Sequence, residues 1–384
     1  MAFTSVDDLL AQMTAGKYLR RDGAKLITTA HTAGGWHTTM GYAGNPVAAT
    51  FPGASLVWQS CDENVGDGTN KIGIDTGGGV LPATKHIVNV GANLVAAAGA
   101  PWQLKLVDLQ GYYALKTTDV TGTGSRTLIN SNTFTASSSS GLLLTYTNDF
   151  VSGTKVRFTT TTTLPTGLAI NTDYWLVRVS ATTARVATSY ANYVAGTVVA
   201  YTDAGTGTHT MTIRMPRASN GAGCQACFVV GTAPTAGGPN LSASSYTNSD
   251  GTSSRAFTGS PTMGAAADAY AGRILHSGNA AGRYGPFLPM ASGDKGIARV
   301  DSFTFSGGTA YTGSGVLGLC LVKPLLDLMI PATGVFSERD LVNQLPSLPK
   351  VEDGACLKWL IFATGATTAN SPFNFTIDFA WGGT

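Results

Sequence analysis

Charge is scarce in this chain. Asp, Glu, Lys and Arg make up 12% of its 384 residues, about half of the ~25% usual for soluble proteins. Glutamate is rarest of all, present only as Glu63, Glu338 and Glu352. A helical enzyme rich in Lys, Glu, Arg and Leu is not the expectation from such a composition. The net charge is +2, and the basic residues are scattered, so a phosphate-binding surface and a nucleic-acid partner are not expected. No apolar run approaches the ~18 residues of a membrane span, so no membrane partner is expected. The start, Met1-Ala-Phe-Thr-Ser-Val-Asp-Asp, lacks a basic region and an apolar core, so no signal peptide is expected and synthesis is placed in the cytoplasm. Cysteine is sparse too. Cys61, Cys224, Cys227, Cys320 and Cys356 are odd in number and irregular in spacing, which is no disulfide framework.

Glycine is plentiful, at 48 residues, and threonine is the commonest polar residue. Thr fits a half-exposed pleated surface, and Gly with Asn serves turns. One helix is expected near the start. Ser5 can cap it with Asp8 three residues on, Leu9, Leu10 and Met13 supply an apolar face, and Gly16 ends it. Thereafter short apolar or alternating runs at 55–59, 85–90, 103–109, 227–230, 299–305, 316–322, 356–363 and 373–381 read as strands cut by turn clusters. A second brief helix is expected from Ser337, with Asp340 at its third position, ending before Pro346. The fold class expected is all-β: a β-sandwich or jelly-roll-like host with a short N-terminal helix.

The middle of the chain differs. It is Thr- and Val-rich with few Gly-Pro loops, and offers strands at 155–158, 159–163, 174–179 and 197–201. An inserted small β-module explains the shift. Residues 131–213 are assigned to it, with 1–130 and 214–384 forming the two parts of the host domain.

Motifs that could carry chemistry fail on context. Cys224-Gln-Ala-Cys227 has the spacing of a redox or metal pair, but no further ligands follow nearby, and a Gly-rich loop leads into a strand. Asp75-Thr76-Gly77 resembles the turn of an aspartic protease, whose chemistry needs a second such carboxylate; a turn is the simpler reading. Gly313-Ser-Gly-Val-Leu-Gly318 matches a dinucleotide fingerprint by letter, but a strand follows where a helix is required. His31 and His37 flank Gly34-Gly35-Trp36 with no carboxylate motif, and His86, His209 and His276 stand alone. No catalytic residue, cofactor or metal site is therefore assigned, and an enzyme is not expected.

Two resemblances add to this. The stretch Leu164-Pro-Thr-Gly-Leu-Ala-Ile-Asn-Thr-Asp-Tyr-Trp-Leu-Val, followed by Ala187-Thr-Ser-Tyr-Ala-Asn and Thr202-Asp-Ala-Gly-Thr-Gly-Thr-His, resembles a small β-module recurrent in fibre, tail and head-surface proteins of tailed phages. The flanking parts are similar to a family of phage virion proteins. That likeness is carried by Phe3-Thr-Ser-Val-Asp-Asp-Leu-Leu, Thr84-Lys-His-Ile-Val-Asn, Tyr284-Gly-Pro-Phe-Leu-Pro-Met, Glu338-Arg-Asp-Leu-Val-Asn-Gln-Leu-Pro-Ser-Leu-Pro and Asp353-Gly-Ala-Cys-Leu.

The resemblance implies a virion structural protein, made in the host cytoplasm and resident on the capsid surface. It would act as a decoration or cement protein, a homotrimer bridging neighbouring major capsid subunits or other virion proteins. The alternative it implies is a tail, baseplate or fibre component contacting the host surface. From the residues themselves, two Pro-stiffened apolar loops are the expected contact elements, because proline denies ladder hydrogen bonds and holds a loop rigid. They are Tyr284, Pro286, Phe287, Leu288 and Pro289 in one, and Leu345, Pro346, Leu348 and Pro349 in the other.

Overall fold

The computed structural model describes residues 3–46, 48, 51–63, 72–95, 100–121, 124–137, 144–265, 269–277 and 285–382. Strands dominate, and the all-β class holds. Helix is confined among these residues to α1 (Val6–Thr14), α2 (Thr117–Val120), α3 (Tyr190–Val194) and a few 3-10 turns. Ser5 caps α1 by accepting from Asp8 N. Only one stripe of α1 faces inward: Leu9 is fully buried, whereas Leu10, about 100° further round the helix, is 54% exposed.

Two sheets form a sandwich. The first runs β18 (Ser337–Asp340), β5 (Thr84–Leu94), β21 (Ser371–Gly382), β1 (Tyr18–Ile27) and β3 (Ala43–Asn45), with β19 (Lys350–Val351) also on β5. The second runs β14 (Gln225–Thr232), β17 (Val316–Ile330), β6 (Trp102–Leu115), β20 (Leu357–Ala363) and β2 (Gly35–Thr38), with β4 (Trp58–Ser60) also on β6. Their inner faces share one core. Val88, Val90 and Ala92 of β5 and Phe373, Phe375 and Ile377 of β21 meet Leu104 and Leu106 of β6 and Trp359 and Ile361 of β20. The alternation in these strands, one side chain in and the next out, is what a sheet buried on one face requires.

A three-stranded sheet, β15 (Ala236–Asn248), β16 (Ile297–Thr312) and β7 (Gly124–Thr127), lies beside the sandwich. The remaining six strands close a barrel in the order β10 (Lys155–Thr160), β11 (Asp173–Ser180), β12 (Thr183–Ala187), β9 (Leu144–Tyr146), β8 (Ser131–Ala136) and β13 (His209–Arg214). Its interior holds Phe134, Val156, Phe158, Leu176, Val186 and Met211. Outside, threonines pair across strands in register. Thr159 faces Thr210, which faces Thr133; Thr135 faces Thr145, which faces Thr183. All six barrel strands lie between Ser131 and Arg214 and, among the described residues, pair only with one another. The chain enters and leaves side by side, since Ile213 N donates to Asn130 O at 2.9 Å.

Some expected elements differ; of 159–163 only 159–160 are strand, and of 55–59 only 58–59. Residues 337–340 form strand β18, not a helix, and pair with β5 from Ser337↔Ala92 to Asp340↔Asn89. The edge of β5 supplies backbone partners that a brief helix from Ser337 to before Pro346 could not match. Asp340 Oδ1 accepts from Val342 N at 2.8 Å, and the 3-10 turn Val342–Ser347 follows with Leu341 at its N-cap. Residues 197–201 are not a strand either. They follow α3, and Val199 N→Val186 O is their link to the barrel ladder.

Candidate interaction surface

The two Pro-rich segments converge. Phe287 of the first and Ser347 and Pro349 of the second line one groove of about 570 Å³, together with Lys105, Pro324, Leu325, Asp327 and Arg339. Each segment is pinned by its backbone. Leu288 N donates to Ala226 O at 2.8 Å, and Pro289 O accepts from Thr258 N at 2.9 Å. Pro349 O accepts from Ile87 N at 3.0 Å. The pinning turns some of the expected contact residues inward. Leu288 and Leu348 are core side chains, 1% and 6% exposed, and Pro286 is buried. Phe287, Pro289, Leu345 and Pro349 are half-buried. Pro346 contributes backbone to the 3-10 turn, and Tyr284 lies outside the described residues.

The groove follows a strand edge. β17 pairs with β14 only from Val316 to Val322, while β6 follows it from Leu317 to Ile330. From Lys323 onward its outer edge therefore has no strand partner among the described residues. Pro324 sits at the start of that half, beside a register irregularity, where proline's missing N–H costs no ladder bond. Arg339 Nη1 covers one carbonyl, donating to Asp327 O at 2.8 Å, and Lys105 Nζ pairs with the Asp327 carboxylate at 2.8 Å. Met329, two residues on, is 59% exposed. An open edge flanked by rigid apolar loops can accept an extended segment by backbone pairing and seat its side chains in the groove.

The motifs set aside in the sequence have definite places. Asp75 pairs with Arg21 at 3.1 Å, and its Oδ1 accepts from Gly77 N at 2.9 Å. Thr76 is held beneath by Glu63, whose Oε2 accepts from its backbone N and its hydroxyl at 2.8 and 2.7 Å. This carboxylate is committed to a turn. Cys224 and Cys227 are fully buried, and Cys227 stands opposite Cys320 across β14 and β17. Burial pushes the Cys224 thiol up to about 12 and Cys320 well above the usual thiol range, which disfavours the thiolate that redox or metal chemistry uses. Gly313–Gly318 spans the β16–β17 hairpin.

The histidine neighbourhood is richer than the sequence suggested. His31 stacks on Tyr270 at 4.4 Å between ring centroids, His37 lies 4.2 Å from His31, and Tyr42 Oη is 3.3 Å from His31 Nδ1. Arg273, 1% exposed, lies across Gly35, where a Cβ would come within 1.6 Å of its Nη1. Burial is the main cause holding both histidines neutral, His31 at about 3 and His37 well below the usual range, and Arg273 adds to it. A cation beside two neutral imidazoles opposes metal binding. Among the described residues no group of three or more His, Cys, Asp or Glu is placed to hold a metal ion. Residues so distant in sequence carry no local pattern that could have announced this cluster.

Arg217 is a further residue that the sequence did not single out. Its side chain is 5% exposed, as is that of Asp108. Nε and Nη2 bond the Asp108 carboxylate at 2.8–3.1 Å, Nη1 donates to Cys61 O and Nη2 to Leu109 O, both at 2.6 Å. The Asp108 carboxylate also accepts from Cys356 N. One ion pair thus ties the segment leaving the barrel to β6 and to the approach to β20. No family model matches this chain, and no curated protein matches it.

Proposed function

We propose that this chain is a structural protein of a virus particle, a capsid decoration or cement subunit that self-associates and seats on the major capsid protein or another virion protein. The observation that carries the reading is the convergence of two rigid Pro-rich loops on a groove along the unpaired half of β17. Such an edge is a liability in a free monomer and an asset in an assembly. Each contact buries apolar surface worth ~25 cal/mol per Å², repeated over a lattice. The barrel is an inserted unit in this reading. Its self-contained pairing and adjacent ends support that division.

The test uses bare capsids and the purified protein. Rebinding that raises the capsid melting temperature supports the proposal, and Phe287→Asp or Met329→Asp should weaken it. Labelling confined to tails in electron micrographs would overturn it in favour of a tail, baseplate or fibre role. Removing 131–213 and joining the ends should leave a folded oligomer; aggregation of that variant would count against an independent inserted unit.

A further inference from the structure

The outer face of the first sheet forms a trough. Three cross-strand rows build it in register: Asp340, Asn89, Asp378 and Arg20; Glu338, Gly91, Thr376 and Asp22; then Asn93, Asn374 and Ala24. The floor, on β5 and β21, is low because Gly91 has no side chain. The walls, Glu338 on β18 and Arg20 and Asp22 on β1, are exposed. Phe336 leans in from the loop before β18. Its ring tip rests above Gly91, where a Cβ would come within 2.4 Å of it, yet the residue is 48% exposed. The groove between Phe336 and β1 measures about 490 Å³, within the range of small-ligand sites.

The floor is short of hydrogen-bond donors. Asn89 Nδ2 is used by Glu338 and Asp378, at 2.6 and 3.2 Å, and Asn374 Nδ2 by Asn93 Oδ1 at 3.1 Å. Asn89 Oδ1, Thr376 Oγ1 and Asp378 Oδ1 are buried without a hydrogen-bond partner; for the last, Arg20 Nε stands at 4.0 Å. Thr376, 3% exposed, lines the groove itself. Unmet buried acceptors cost free energy that a donor-bearing ligand recovers. The charge sign narrows the ligand, since Arg20 faces Asp22, Glu338, Asp340 and Asp378. Anions are repelled. What remains is a molecule with many hydroxyls and a flat apolar face.

We propose that this trough binds a neutral or amino-bearing saccharide, with a pyranose face against Phe336 and its hydroxyls on Thr376 and Asn374. The proposal stands apart from the assembly role, which uses the groove along the open edge of β17, and the two grooves share no lining residue. An oligosaccharide array should test it, spanning hexoses, deoxyhexoses, N-acetylhexosamines, hexosamines, uronates and sialates. Binding to at least one non-acidic class is expected, with Phe336→Ala and Asn374→Ala each weakening it at least tenfold. Thr376→Val removes an unpartnered hydroxyl at nearly constant volume, so it should weaken binding while leaving the melting temperature level or higher. Circular dichroism confirms that each variant is folded. No binding to any class, binding to acidic glycans only, or binding untouched by Phe336→Ala would each overturn the proposal. So would loss of self-association in Phe336→Ala, which would assign the trough to a second copy of the chain.

Discussion

The barrel and the sandwich solve the same problem in opposite ways. Both must satisfy strand backbones and bury one face of each strand. The barrel does so by closure: six strands of three to eight residues with no edge left over. Its surface is finished with threonine pairs and a compact charge cluster, in which Asp173 holds Lys155 at 3.1 Å and Arg157 at 2.7 Å. The sandwich uses longer strands, up to 15 residues in β17, and leaves one edge of that strand's second half without a strand partner among the described residues. Among the described residues both units carry buried polar atoms without a hydrogen-bond partner, at His37, Lys358 and Thr376 in the sandwich and at Tyr146, Thr154, Arg185 and Tyr201 in the barrel. The two therefore differ in their strand edges and not in their buried polar groups: the barrel has closed its edges, and the sandwich keeps one open along β17.

The comparison breaks most directly through the cores. Phe158 is fully buried in the barrel, and Phe158→Ala should cost about 3–5 kcal/mol. Calorimetry should then show a barrel transition shifted down and a sandwich transition in place. A single shared shift would mean that the apolar contacts running from the barrel into the three-stranded sheet make one cooperative unit. Arg217→Ala works on the other side. It strands a buried carboxylate at Asp108 and should cost about 3–5 kcal/mol, felt by the sandwich; Asp108→Asn keeps the shape but strands the Arg217 guanidinium, which cannot neutralise itself, and should cost at least as much. Urea titrations of both variants give the ranking.

Much of this contrast was legible beforehand. Periodicity located most strands, and the change from Gly-Pro loops to Thr-Val runs fell where the barrel begins and ends. Ser5 and Leu9 announced α1 because capping and helical spacing are local. What escaped was non-local. β18 forms because β5 offers an edge, which the Ser337–Asp340 box cannot reveal. Leu288 and Leu348 face inward because the backbone bonds Leu288 N→Ala226 O and Ile87 N→Pro349 O pin their segments. Arg273 finds His37 only through the packing of a loop on β2. The phage resemblance spoke of a family and could not point to the β17 edge.

Acid gives a smaller and graded test. Burial holds His31 at about 3 and His276 at about 4, while the unfolded chain takes up these protons near the usual ~6.5. The unfolded state therefore binds more protons below that value, so stability falls as pH drops from ~6.5 toward 4. The slope is up to about 1.4 kcal/mol per pH unit for each histidine. Carboxylates held low, such as Asp294 at about 2, act in a more acidic window. Urea midpoints between pH 7 and 4 should decline, and His276→Asn should flatten the slope; a flat wild-type profile would contradict the burial of these rings. The least effect is expected on the barrel surface. Arg178 pairs with Asp149 at 2.6 Å, with both side chains about one-third exposed, and Arg178→Ala should cost under about 1 kcal/mol, less in high salt.

The hydrogen bond between Ile213 N and Asn130 O has a consequence for engineering. It makes the mouth of the barrel one peptide spacing wide, so the length of chain between the two residues hardly matters to what lies outside. Loop-closure entropy grows only with the logarithm of length, and any folded unit whose ends meet at that spacing satisfies the same boundary condition. The site is a socket: a foreign domain with adjacent termini could be plugged in at Asn130 and Ile213 and carried by the sandwich in place of the barrel.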